Sequence, residues 1–138
     1  MYLIDIGANL AHDSFEHDRP AVLERAQMAG VRQIIITGSD ADSSRRALAL
    51  AEQAPGRLFA TAGLHPHHAE QWHADMAALL RTHARQPACR ALGETGLDYF
   101  RDFADRAAQQ QAFAAQLAIA CDTGMPVFLH QRDRKSGV

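Results

Sequence analysis

Five short apolar runs recur along the chain, each followed by a stretch whose apolar residues repeat at helical spacing, and no tight hairpin turn joins any two of them. The runs are Tyr2 to Ile6, Val31 to Thr37, Leu58 to Gly63, Arg90 to Glu94 and Val127 to His130. Val31 to Thr37 contains the unbroken Ile34-Ile35-Ile36, which reads as a strand buried on both faces, as in a parallel sheet covered by helices. Between the runs, punctuation residues delimit helices. Asp18 as N-cap and Pro20 in the first turn open one that stops at Gly30, with Val22, Leu23 and Ala26 on its inner face. Asp40 to Ser44 caps a second, carrying Ala47, Leu48 and Ala51 and ending at Pro55-Gly56. Trp72, Met76, Leu79, Leu80 and His83 trace a third that ends by Pro87. The fourth runs from Asp105 to Asp122 with Phe113, Leu117 and Ala120 inward, before Gly124 and Pro126 block continuation.

Alternating strands and helices without hairpins imply an α/β chain whose parallel strands are joined by right-handed crossovers. Two architectures share this rhythm. A doubly wound sheet of five strands would be complete at this length, whereas a TIM barrel needs eight strands and about 250 residues. The residues closing the runs arbitrate. In a barrel the C-terminal ends of all strands face one pocket, so Asn9, His65, His67, Glu94 and His130 converge; an open sheet gathers function at a switch point, and no glycine-rich phosphate loop follows the first run. The expected fold is therefore an incomplete TIM barrel holding about the first five βα strands, with residues 1–138 as one partial domain. Carboxylates and imidazoles at three strand ends are the layout of a metallohydrolase.

Composition narrows the setting. With 138 residues and 47% hydrophobic content the chain can bury one core and needs no second domain. A net charge of −2 provides no global basic signal for nucleic acid, and equally leaves room for a local basic groove. Cys89 and Cys121 lack C-x-x-C spacing and sit in apolar segments, which fits reduced, buried thiols in a cytoplasmic protein. The N-terminus meets a charge at Asp5, and no apolar run approaches the roughly 20 residues that cross a membrane. Neither a membrane nor an obligate protein partner is expected.

Five ordered segments carry a family resemblance: Asp5-Ile-Gly-Ala-Asn9, Gly63-Leu-His-Pro-His67, Gly93-Glu-Thr-Gly-Leu-Asp98, the Gln109 to Ala120 helix with Phe113 and Gln116-Leu117, and Pro126-Val-Phe-Leu-His-Gln-Arg132. Together they resemble the successive motifs of the TatD family of metal-dependent deoxyribonucleases. The resemblance implies an amidohydrolase-like TIM barrel that cleaves DNA or RNA phosphodiesters, as a 3′-5′ exonuclease on single strands, with Mg²⁺ or Mn²⁺ favoured and Zn²⁺ as a further option. Two departures stand out. Gly7 and Asn9 occupy positions where many members carry His-x-His, a lack some members share. The family's sixth-strand His and eighth-strand Asp have no counterpart, and residues 134–138 form an atypical tail. The expectation is a shortened form of the family's chain, inactive as a nuclease on its own.

Each site residue has a plain alternative. Glu94, between Gly93 and Gly96, can offer oxygens to hard cations with backbone close by, or cap the next helix. His130 can bind a metal through one nitrogen or hydrogen-bond in the barrel mouth. The resemblance favours Glu94 and His130 as metal ligands, with Glu94 also catalytic. Arg132, two residues on from His130, can clamp a phosphate or be a solvated surface residue. His65 and His67 flank Pro66; either could orient a phosphate, donate a proton to the leaving oxygen or satisfy loop carbonyls. His65 is assigned to catalysis, and His67, Arg132 and Asn9 to substrate binding. Asp98 could orient a histidine or a water, while Tyr99 and Phe100 could stack bases but read better as core. His12, His17, His68, His73 and His83 read as solvated. Competing functions are a related barrel hydrolase acting on a small amide or lactone, and a non-catalytic fragment.

Overall fold

A computed structural model describes residues 1–132; the atypical tail at 134–138 lies outside the described residues. Five strands are present: β1 (Leu3–Ala8), β2 (Val31–Ile36), β3 (Leu58–Ala62), β4 (Cys89–Asp98) and β5 (Val127–Arg132). Four α-helices connect them: α1 (Arg19–Met28), α2 (Ala41–Ala51), α3 (Ala74–His83) and α4 (Arg106–Thr123). All strand pairs are parallel and the order in the sheet is β1-β2-β3-β4-β5. Sequential order with crossovers of one hand puts every helix on the same face, which curls the sheet into a half-barrel. A doubly wound sheet would reverse its order midway, so the five strands are the first part of a TIM-type barrel, as the sequence implies.

Two apolar clusters seal the helical face. One packs Ile34, Ile36, Leu58 and Ala60 against Ala47 and Ala51 of α2, with Val22, Leu23 and Ala26 of α1 half-buried around it. The other joins Ala62 and Leu92 to Met76 and Leu80 of α3 and Ala112, Ile119 and Ala120 of α4. Ile35, between two buried isoleucines, is only half-buried, because its face looks into the open side of the half-barrel. The expectation that this strand is buried on both faces therefore holds on one face only. β1 and β5 are the sheet edges, and Ile4, Ile6 and Leu129 are exposed there.

Several local expectations change. Asp18 occupies the N-cap of α1 but its side chain caps nothing, whereas Asp40 builds a full reciprocal capping box with Ser43. The third helix starts at Ala74 rather than Trp72, because Pro66–Gln71 forms a separate 3₁₀ turn capped by His65. On α4, Phe113 and Leu117 are half-buried, and the innermost positions include the polar Gln109 and Gln116. Cys89 is buried as expected, but Cys121 is exposed. His83 is not solvated: it is 7% exposed, with Nδ1 3.0 Å from the Leu79 carbonyl oxygen and Nε2 buried without a partner. Among the described residues, no helix is long and apolar enough to cross a membrane.

β4 matters most for the site. It runs four residues beyond Glu94 to Asp98, pairing Gly96 with His130 and Asp98 with Arg132 after a register shift between Leu92 and Thr95. Glu94 is thus inside a strand, not at its end. Gly93 and Gly96 have φ of +144° and +151°, and a Cβ on them would stand 2.2 Å from the Phe128 carbonyl oxygen and 1.9 Å from that of His130. Their role is to let β4 and β5 approach each other.

Candidate metal centre

A strand presents every second residue to one face, so Glu94, Gly96 and Asp98 share a face of β4, while His130 and Arg132 share one of β5. The Gly96–His130 register sets the His130 ring between the two carboxylates. His130 Nδ1 lies 2.7 Å from Glu94 Oε1, and His130 Nε2 lies 3.1 Å from Asp98 Oδ2. His65 arrives from the turn after β3, its Nε2 3.2 Å from His130 Nδ1 and 3.8 Å from Glu94 Oε1. The structure thus gathers His65, Glu94 and His130 into one group of donors able to hold a metal ion.

Backbone hydrogen bonds hold this triangle from behind. The His65 amide donates to the Ser39 carbonyl at 2.9 Å and the Glu94 amide to the Gly38 carbonyl at 2.8 Å, so one loop after β2 anchors both residues. Gln116 of α4 grips Leu64 through both backbone groups, and Gln109 accepts the Asp98 amide at 2.9 Å. Pro66 opens the 3₁₀ turn that His65 caps, and His65 Nδ1 accepts the His67 amide at 3.1 Å. A ring whose Nδ1 accepts a hydrogen bond carries its neutral-state proton on Nε2, so His65 turns an N–H towards the cluster. Burial lowers its pKa to about 3, helped by the neighbouring imidazoles of His130, His67 and His68, so the ring is neutral near pH 7.

Asp98 is the hub. Its carboxyl is 1% exposed and accepts from the Arg101 amide at 2.8 Å, from His67 Nε2 at 2.8 Å and from His130. Burial works against the charge, but these donors outweigh it and pull the pKa down to about 2. A carboxylate on the far nitrogen of a histidine orients the ring and leaves Nδ1 turned to Glu94, the arrangement in which imidazoles present a lone pair to a metal. The 2.7 Å between Glu94 Oε1 and His130 Nδ1 suits two ligands about 2.0 to 2.2 Å from a common ion.

The other expected site residues stand outside the cluster. His67 is tied to it through Asp98. Arg132 is exposed and stacks its guanidinium 4.8 Å above the Phe100 ring. Asn9 is exposed just past β1 and makes none of the hydrogen bonds that join the cluster. Phe100 does not pack in the core, being 59% exposed, and Tyr99 is half-buried with its hydroxyl accepting from Gln110. An open cavity of about 950 Å³ runs along β5 and the β4–α4 connection, meeting the cluster only at His130. Asp98, expected to orient a histidine or a water, contacts both His130 and His67, and the even spacing Glu94, Gly96, Asp98 fits one face of a longer strand than the sequence reading drew.

Known proteins resemble this chain in sequence and in fold. A family model described as TatD related DNase matches residues 4–138. A protein of Musicola paradisiaca named 3′-5′ ssDNA/RNA exonuclease TatD is 50% identical over 135 residues, covering 97% of this chain and 51% of its own length. The crystal structure of a TatD homologue from Escherichia coli superposes with a TM-score of 0.85 at 36% identity, over 94% of this chain and 51% of that one. An uncharacterised amidohydrolase from Saccharomyces cerevisiae superposes at 0.83 with 27% identity, over 96% of this chain and 49% of that one. The chain spans about half the length of the relatives it matches.

Proposed function

Because the chain belongs to the TatD related DNase family, we propose that its 1–138 segment is one partial barrel domain carrying part of a metal-dependent phosphodiesterase site that removes nucleotides from the 3′ end of single-stranded DNA or RNA. The observation that carries this reading is His130, whose two nitrogens face Glu94 on one side and buried Asp98 on the other. Glu94 Oε1 and His130 Nδ1 are the metal ligands. One oxygen and one imidazole nitrogen, with an oxygen-rich phosphate as the other partner, favour Mg²⁺ or Mn²⁺ and accommodate Zn²⁺. Such an ion, when bound, supplies charge neutralisation at the scissile phosphate and acidifies water.

The chain's own groups divide the remaining work. His65, neutral and with Nε2–H facing the cluster, takes its catalytic part as a hydrogen-bond donor to a phosphate oxygen on which charge builds up. Asp98 keeps His130 and His67 in register. His67, Arg132 and Asn9 are assigned to substrate binding. Two free thiols support a reducing, cytoplasmic setting.

Calorimetric titration of the chain with Mn²⁺ tests the site directly, and binding is expected to vanish in Glu94→Ala. A chimera that joins this chain to the second half of the Musicola paradisiaca relative should release nucleotides from a 5′-labelled single strand only with metal present. Metal binding without nucleotide release, together with turnover of small amides or lactones, would replace the nuclease by the related barrel hydrolase.

A further inference from the structure

The β4–α4 connection carries rings that neither the core nor the metal cluster uses. Phe103 is 65% exposed and Phe100 59% exposed. Each lies under a guanidinium: Arg101 Cζ is 5.8 Å from the Phe103 centroid and Arg132 Cζ 4.8 Å from that of Phe100. The third pair of the connection is neutralised locally, since Arg106 over Tyr99 also binds both oxygens of Asp102. Arg101 forms no salt bridge among the described residues. The segment is pinned to β4: the Arg101 amide donates to Asp98 Oδ1, the Asp102 amide to the Asp98 carbonyl, and Gln109 Nε2 to the Ala104 carbonyl. Phe103 stands 4.8 Å from the His67 ring, which Asp98 links to His130. An exposed ring with a cation beside it is thereby held against His67, which shares Asp98 with His130 of the proposed catalytic cluster.

We propose that this connection is a nucleobase-stacking platform for single-stranded nucleic acid, with Phe103 as the principal stacking face, Arg101 as its phosphate contact, and Phe100 with Arg132 as a second position. The proposal rests on the nuclease reading and adds where the base beside the scissile phosphate is held. Charge complementarity selects the occupant. A nucleotide offers a phosphate to the guanidinium and a π face to the ring, and such stacking is tolerant of base identity, whereas a protein surface would have to desolvate both guanidinium groups.

The test is fluorescence anisotropy of a labelled oligothymidine and of an abasic strand of equal length and charge, titrated with the chain in EDTA, so that neither metal binding nor cleavage enters. Phe103→Ala is expected to weaken oligothymidine binding by about tenfold, at the lower end of what one stacked base supplies. Phe103→Leu should lose nearly as much, and Phe103→Trp should bind like the wild type. The abasic strand should bind the wild type weakly and Phe103→Ala no more weakly. The exposure of Phe103 makes loss of the fold avoidable, and circular dichroism of Phe103→Leu checks it. Equal affinity of the wild type and Phe103→Ala for oligothymidine, equal loss on both strands, or no binding by the wild type would each overturn the platform. A failure of metal binding or cleavage alone would overturn the site reading and leave this result standing.

Discussion

Gln116 on α4 binds both backbone groups of Leu64, accepting its N–H at 2.8 Å and donating to its carbonyl at 3.0 Å across 52 residues of chain. Leu64 precedes His65, so a helix remote in sequence sets where the imidazole enters the site. The bond pair is fully buried, which makes it a positioning device rather than a surface contact.

Gln116→Leu is expected to destabilise the chain by about 2 kcal/mol, because it strands a buried N–H and a buried carbonyl while keeping the side chain's volume. Urea unfolding of the two proteins measures this. A variant as stable as the wild type would mean that water or a shifted loop replaces the glutamine.

Asp98→Asn should reduce Mn²⁺ affinity by about 10- to 100-fold, the scale on which groups behind a ligating histidine act. The amide keeps the shape but loses the charge that holds the far nitrogens of His130 and His67. Calorimetry gives the number directly, and unchanged affinity would detach Asp98 from the orientation of His130.

His65→Ala, in the chimera, should lower turnover by roughly 10²-fold while Mn²⁺ still binds, as expected for loss of a hydrogen-bond donor aimed at charge that develops in the transition state. The basis is the His67 amide on His65 Nδ1, which leaves an N–H on the other nitrogen. Disappearance of metal binding would instead make His65 a third ligand.

His83 predicts a pH dependence of stability. Burial lowers its pKa below the ordinary 6.5, opposed by the Leu79 carbonyl, so the unfolded chain binds its proton more readily than the folded one. Its contribution is fully present above about pH 6.5 and is lost as the pH falls from there through the lowered folded value. Urea midpoints at pH 8 and pH 5.5 should therefore differ more for the wild type than for His83→Leu. An equal difference in both proteins would take His83 out of the acid response.

The sheet edges predict association. Ile4 and Ile6 on β1 and Leu129 on β5 are exposed beside unpaired strand backbone, a template for further pairing. Sedimentation of the 138-residue chain should show oligomers, shifted towards monomer by Ile6→Lys. A wild type that stays monomeric at tens of micromolar would show that the edges are adequately protected.

The βα rhythm, the parallel sheet and the runs that carry Glu94 and His130 were legible in the sequence, because hydrophobic period and capping residues are local properties. The even spacing of Glu94 and Asp98 was legible too, but only with β4 extended past Gly96, and a glycine inside a run reads locally as a break. Pairing with β5 across the close Gly96–His130 contact overrides that reading, and no local pattern reports a partner strand 34 residues away. Likewise the inner face of α4 reads from its apolar period as Phe113, Leu117 and Ala120, and only the packing of α4 against the turn after β3 and the end of β4 shows that Gln109 and Gln116 are buried and bind backbone. By itself the sequence determined the five strands and four α-helices and their order. Tertiary structure alone decided which of their side chains meet, because register between strands and the burial of polar groups depend on contacts that residues distant in sequence make with one another.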